Sequence, residues 1–441
     1  NLPLFFQRRF LPMWVTLSFG TFADNTLRQA LLIGIPAGVI QVPFFSRPDD
    51  AIPFIGTLLP AAIMIFSSVS GQLADKYETS LMFRRTKLTE LALMTTAAMA
   101  FALGWGGLAI AMLFAMGAQS AFFSPVRVAA MPKYLATDEL VRGNGLCNAG
   151  LYSFILLGYL FGALLIVLPH GGALVGATLV TASSIGLIAA WRAPYAAANA
   201  PDLKLSLNGF EQTAFMFRQA FKARGVAPPL LGAAVFYLMS TAITVVIPLY
   251  GRDSLVATPV VWGVLNGFFA IGAGLGAITA ANFSKGRSGL AASASAIAAG
   301  GVSSIAIYFA TPLAAGTPGD PATLGGLFSS AGGLLLIGLL ILTAAFSGVY
   351  IAPLQAAMQR RAPREVRARI MAAAAFAYAA FAIPGSLSIL AITRTGADPR
   401  LAFLAVGLAM LLIGAVMFHR KRTLPEGLYD EMLASPPAAC S

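Results

Sequence analysis

Asp24, Asn25 and Arg28 stand together in "FGTFADNTLRQALL" (Phe19 to Leu32), a stretch otherwise apolar enough to lie in lipid. Asp24 and Arg28 are four residues apart, on one face of a helix, and this spacing allows two kinds of chemistry. They can neutralise each other and cross the bilayer as an internal ion pair. Alternatively they face a water-filled cavity, where acid, amide and base meet a polar substrate group and Asp24 can hold a proton or Na⁺. An apolar pair would span the membrane at lower cost, which favours the second reading. Asp24 falls about 21 Å along the first apolar run, near mid-membrane.

Other ionisable residues are sparse. Arg127 lies near the inner end of a later apolar run, where it either snorkels to the interface or points inward as a positive charge suited to phosphate. Glu90 follows Arg84, Arg85 and Lys87 and is expected to pair locally. Cys147 and Cys440 are the only cysteines and His170 and His419 the only histidines, all far apart in sequence, so no disulfide framework, thiolate metal centre or haem site is expected. No cofactor is called for beyond a coupling Na⁺ or H⁺.

The elements that must position these residues are membrane helices. Of 441 residues, 58% are hydrophobic and 10% charged, leaving too little polar surface to coat a water-soluble globule. Uninterrupted runs such as "LALMTTAAMAFALGWGGLAIAMLFAM" exclude the alternating pattern of a transmembrane barrel. Splitting the chain at charge clusters and Pro/Gly breaks gives twelve spans, near 11–40, 53–73, 88–107, 109–131, 145–168, 174–191, 228–249, 260–283, 290–310, 330–355, 370–392 and 400–418. The 88–131 stretch is cut at "GWGG". The first apolar run is too long for a cleavable signal peptide and lacks a small-residue cleavage pattern.

Charge placement tests that count. Of the 29 lysines and arginines, only Arg47, Arg252, Arg394 and Arg400 fall in segments on the side opposite the N-terminus, and only Arg28 and Arg127 fall within spans. By the positive-inside rule both termini are cytoplasmic, and the net charge of +12 reflects topology, not a nucleic-acid partner. The expected organisation is an N-terminal six-helix bundle (1–191), a cytoplasmic linker (192–227), a C-terminal six-helix bundle (228–419) and a cytoplasmic tail (420–441). Within the linker, "GFEQTAFMFRQAFKA" has phenylalanines at helical spacing; it either lies on the inner membrane surface or packs on the loops. Pro125 and Pro353 close the fourth and tenth spans 228 residues apart, a weak six-span repeat of the kind that builds parallel transporter halves.

Between spans two and three, "GQLADKYETSLMFRRTK" carries Gly71, Asp75, Lys76, Arg84 and Arg85. It resembles the G-x-x-x-D-[RK]…[RK]-[RK] signature of the major facilitator superfamily. Physically, Gly71 would permit close helix approach, Asp75 would sit at the positive end of a neighbouring helix, and the basic pair would anchor the loop to anionic headgroups. Together they would latch the cytoplasmic side. Glycine pairs at four-residue spacing, Gly34/Gly38, Gly158/Gly162, Gly263/Gly267 and Gly272/Gly276, point to close helix seams.

Three shorter stretches resemble the bacterial lysophospholipid transporters within that superfamily: "FADNTL" (Phe22 to Leu27), "FFSPVR" (Phe122 to Arg127) and "APLQAAMQ" (Ala352 to Gln359). The resemblance implies an all-α membrane protein of twelve helices in two bundles. It would be a monomer in the bacterial inner membrane that moves lysophospholipid to the cytoplasmic leaflet for reacylation by an acyltransferase. Carried over, the substrate residues would be Asp24, Asn25, Ser124, Pro125, Arg127, Pro353, Gln355 and Gln359, with Arg28 added by the spacing argument. Two features depart from the family: Arg127 stands where lysine is common, and the seventh span has no basic residue, only Tyr237 and Tyr250. The alternative is a proton-coupled exporter of hydrophobic drugs or another lipid, with Asp24 as the coupling carboxylate. An acyltransferase is not expected, since neither histidine begins a His-x-x-x-x-Asp motif.

Overall fold

The computed structural model describes residues 4–136, 139–198, 201–202, 209–223, 225–283, 289–362 and 367–423. Within them the chain forms fourteen α-helices and no strand longer than an isolated bridge. It divides into two compact units, Asn1–Gln212 and Thr213–Ser441.

The first unit holds α1 (Leu11–Gly34), α2 (Ala51–Lys76), α3 (Thr79–Ala102), α4 (Gly106–Tyr134), α5 (Leu140–Ile166) and α6 (Gly171–Arg192). Short α7 (Gly209–Lys222) crosses the boundary. The second unit contains α8 (Ala227–Leu249), α9 (Pro259–Phe283), α10 (Gly289–Ala310), short α11 (Leu324–Ser329), α12 (Ala331–Arg361), α13 (Arg367–Thr395) and α14 (Leu401–Thr423). Each of the twelve expected spans corresponds to one long helix, so the chain is an all-α membrane protein with six spanning helices per unit. Ten of these are apolar enough to cross a bilayer on length and composition alone. The other two are α1 and α3, the helices that carry Asp24, Arg28, Lys87 and Glu90.

Chain breaks follow the local chemistry. Proline opens α1, α8 and α9, where its missing N–H costs nothing. Ser330 caps α12 by accepting from the Gly333 N–H at 3.1 Å. Span one is shorter than expected: α1 ends at Gly34, and residues 35–40 form turns. Span three is displaced toward the N-terminus, because α3 starts at Thr79 and ends at Ala102, two residues before Gly104, whose φ of +70° suits glycine without strain.

Both units use the same pairings. In the first, α5 packs on α1, α4 on α2, α6 on α3 and α3 on α4; in the second, α13 packs on α8, α12 on α9, α14 on α10 and α10 on α12. The six-span repeat is therefore a repeat of packing. Gly158 and Gly162 let α5 lie against the α1 backbone at Phe22 and Thr26, and Gly272 and Gly276 do the same for α9 against α12 at Ile341 and Ala345. Among the described residues, no atom lies within 4 Å of where a Gly71 or Gly38 Cβ would sit, and Gly38 lies in a left-handed turn beyond α1.

Of the two readings left open for α7, packing describes one face of it. Met216 and Ala220 are buried among Val226, Leu230, Met358 and Ile370, and Phe217 meets Phe376 edge-on, while Phe215 and Phe221 stay exposed. Linker residues 203–208 and most of the tail, 424–441 with Cys440, lie outside the described residues.

Candidate functional site

The centre of the first unit contains a chain of polar side chains that joins three helices. On α3, Lys87 and Glu90 are one turn apart and form an ion pair of 2.6 Å, with side chains 0% and 2% exposed. Lys87 also lies over the Phe123 ring, 4.8 Å from its centroid. On α4, Gln119 donates from Nε2 to the Thr86 carbonyl at 3.0 Å and to Glu90 Oε2 at 3.3 Å. Its neighbour Ser120 donates to Asp24 Oδ2 on α1 at 2.9 Å. Adjacent helical residues point about 100° apart, so Gln119 and Ser120 can serve two different neighbouring helices from consecutive positions.

Gly20 completes the packing. It lies one turn before Asp24, and a Cβ there would collide with Lys87 Nζ and press on Glu90 Oε2. Glycine at this position lets the ammonium group of α3 approach the α1 backbone. The charge count explains why such contacts are needed: a buried ion pair is tolerated only where further hydrogen bonds satisfy it. Even so, Asp24 Oδ1 and Glu90 Oε1 are buried without a hydrogen-bond partner. A carboxylate can accept about four hydrogen bonds and Asp24 accepts one, which leaves it capacity for a proton, a small cation or a donor group on a substrate.

Of the two readings of Asp24 and Arg28, the internal ion pair, the less favoured one, is not formed among the described residues. Asp24 turns to Ser120, whereas Arg28 extends toward α5 and makes a long 3.5 Å contact with the Tyr159 hydroxyl. Among the described residues neither has an oppositely charged partner within 4.0 Å. Each member of the couple meets a hydroxyl from a different helix, Ser120 of α4 for Asp24 and Tyr159 of α5 for Arg28. Asn25 donates to its own helix at the Thr21 carbonyl, 2.8 Å away, and its Cβ faces Gly158 of α5.

The remaining expected substrate residues fall on α4 of the first unit and α12 of the second. Ser124 is exposed and Pro125 half-buried on α4. In the second unit Pro353 is buried and Gln355 half-buried on α12, and the Tyr378 hydroxyl of α13 donates to Met358 Sδ of α12 at 4.0 Å. Tyr378 stacks on Tyr237 of α8 with ring centroids 4.5 Å apart and 17° between planes. The side chains of Arg127, Gln359 and Asp75 lie outside the described ones. Of the expected gate residues, Lys76 and Arg84 are half-buried and Arg85 is exposed. Arg84 lies over the Trp191 ring of α6, 5.4 Å from its centroid.

Lys87 is the residue that the sequence misplaced most. Grouped by charge with the loop before α3, it is instead buried inside the unit, although its pairing with Glu90 is the local pairing expected of that acid. Gln119, Ser120, Tyr159 and Tyr378 were missed. The available signal for the first two was a Gln-Ser dipeptide inside the apolar run "AIAMLFAMGAQSAFF".

No family model matches the sequence, and no curated protein does. Solved structures of the same fold do match. One, a POT family transporter in complex with 5-aminolevulinic acid, superposes with a TM-score of 0.71 at 13% identity, covering 96% of this chain and 98% of that one. The nucleoside transporter NupG gives a TM-score of 0.65 at 11% identity, covering 93% and 99%. A bacterial homologue of the iron transporter ferroportin in an outward-facing state gives 0.56 at 12%, covering 92% and 100%. At these identities the likeness carries the fold, that of major facilitator transporters, and leaves the substrate open.

Proposed function

We propose that the protein is a carrier of lysophospholipids in the bacterial inner membrane, with both termini cytoplasmic, working by alternating access. The observation that carries this reading is the economy of the polar site on α1. Asp24 and Arg28 are separately held by Ser120 and Tyr159, and among the described residues neither has an ion-pair partner. An acid and a base offered separately suit a headgroup that has both an ammonium and a phosphate. A peptide or nucleoside would require more hydrogen-bonding side chains than these helices supply. The three motif resemblances at Phe22–Leu27, Phe122–Arg127 and Ala352–Gln359 support the same substrate. Arg127, Ser124, Pro125, Gln355 and Gln359 enter as candidate contacts on that ground alone. The product would pass to a cytoplasmic acyltransferase.

Asp24 is also the candidate for a coupling ion, because Oδ1 lacks a partner. The test is reconstitution into liposomes with labelled lysophosphatidylethanolamine, read as leaflet exposure with and without an Na⁺ or pH gradient. Unlabelled lysolipid should compete, while dipeptide, nucleoside and hydrophobic drug should not. Competition by the drug alone would replace this reading with an exporter of apolar compounds.

A further inference from the structure

A second polar feature of the first unit has no part in the substrate site. At the end of the bundle where α1 begins and α6 ends, Arg8, Arg9, Arg84 and Arg192 line a cleft of about 660 Å³ together with Trp191 and Tyr195. No acidic side chain lines it. We propose that this cleft binds the phosphate headgroup of an anionic phospholipid, a structural lipid distinct from the transported one.

The cleft is built on a fixed frame. Arg9 is spoken for: it makes a two-armed bond to Glu139 at 2.6 and 2.7 Å and donates to the Tyr134 carbonyl at 3.1 Å. Tyr134 in turn donates to the Pro194 carbonyl at 2.8 Å, which ties the segment after α6 across the end of α4. Arg8, Arg84 and Arg192 have no carboxylate within ion-pair distance among the described residues. Arg84 Nε is buried without a hydrogen-bond partner, a donor fixed in the wall with nothing to donate to. Three guanidinium groups without counter-charge and one orphan donor fit a phosphate, which accepts in-plane pairs of N–H bonds from arginine.

The surroundings select a lipid over a soluble phosphate. Trp191 and Tyr195 are 61% and 74% exposed, and Phe6, next to Gln7 of the cleft wall, is 59% exposed. Exposed aromatic rings beside arginines are the pattern of a membrane interface, where rings sit at headgroup depth and cations meet the anionic leaflet. The basic composition of this end is also what the charge distribution of the sequence assigns to the cytoplasmic side.

The experiment titrates delipidated protein in detergent with short-chain phosphatidylglycerol, phosphatidylcholine of the same chain length, and glycerol phosphate, following the unfolding temperature. Phosphatidylglycerol is expected to raise it saturably, with phosphatidylcholine and glycerol phosphate much weaker. The variant Arg8→Gln/Arg192→Gln should raise the half-saturating concentration at least fivefold, and Arg8→Lys/Arg192→Lys should recover part of that loss. Both side chains are exposed, so the variant should fold, with an unchanged unfolding temperature in the absence of added lipid as the check. Absence of a phosphatidylglycerol effect, or an equal effect in the glutamine variant, would overturn the proposal. Glycerol phosphate acting as strongly as the lipid would make it a site for soluble phosphate and overturn the lipid. Because transport is read separately, failure here leaves the lysophospholipid reading standing, and the reverse also holds.

Discussion

The two units share a packing plan but differ in what they bury. Adding the 228-residue offset between Pro125 and Pro353 aligns Gln119 and Ser120 of α4 with Ser347 and Gly348 of α12. In the first unit these positions reach out to α3 and α1 and hold two carboxylates. In the second, Ser347 turns back to its own helix at the Thr343 carbonyl, 2.8 Å away, and Gly348 is closed against the α9 backbone. One unit thus spends a seam on polar contacts between helices, and the other spends the same seam on close packing. Its polar features include the uncharged Tyr237–Tyr378 stack and the buried Arg361, which donates to the Gly225 carbonyl at 2.8 Å. The buried ion pair, on this comparison, belongs to the first unit, and the ion pairs of the second, Arg252–Asp253 and Arg400–Asp398, are partly exposed.

The sharpest way to break the comparison is to remove one charge from the buried pair. Lys87→Met leaves Glu90 buried and uncompensated and should cost about 3–5 kcal/mol in the thermal or denaturant unfolding of the purified protein. Lys87→Met combined with Glu90→Leu should recover much of that. If the single change proves harmless, the first unit does not depend on its charges. Uptake assays probe the α1 couple next: Asp24→Asn and Arg28→Gln should each lower lysolipid transport roughly tenfold or more, the worth of one charge-assisted contact, without loss of folded protein. Near-normal transport in both variants would reduce Asp24 and Arg28 to structural residues.

Smaller effects sharpen the contrast. Gly20→Ala should destabilise by about 1–3 kcal/mol, since the added methyl group meets Lys87 Nζ, which the pair with Glu90 holds in place. In the second unit, Tyr378→Phe keeps the stack on Tyr237 and loses the hydroxyl's long contact with Met358 Sδ, so a cost of at most about 1 kcal/mol is expected. The weakest effect concerns pH at the end of the first unit. The hydrogen bonds from Arg9, helped by the Ala136 N–H, hold the Glu139 carboxyl below the usual carboxylate range. The folded-state value being the lower one, this contribution is whole above the ordinary glutamate range and is lost as pH falls through it and below. Unfolding profiles of wild type and Arg9→Gln should therefore differ near neutral pH and converge in acid.

Much of this architecture was legible in the chain. Twelve long helices follow from apolar run length, because the bilayer demands about 20 apolar residues per crossing, and the repeat follows from Pro125 and Pro353. Asp24 and Arg28 stood out because charge is rare in such runs. Lys87 did not, because a lysine near a basic loop reads as interfacial, and nothing in its neighbours' identities reveals that α3 begins eight residues earlier. Likewise, spacing of four residues showed that Asp24 and Arg28 could meet, and could not show that they do not.

The sequence by itself determined what lies in lipid, where helices break and which few side chains carry charge, since those depend on composition and on local backbone chemistry. Only the tertiary structure decided the partners: Ser120 for Asp24, Tyr159 for Arg28, Gln119 for Glu90, and three arginines around an unfilled donor at Arg84. The partners come from helices far apart in the chain, and a buried polar group binds whichever donor or acceptor packing brings within about 3 Å, whatever its distance in sequence.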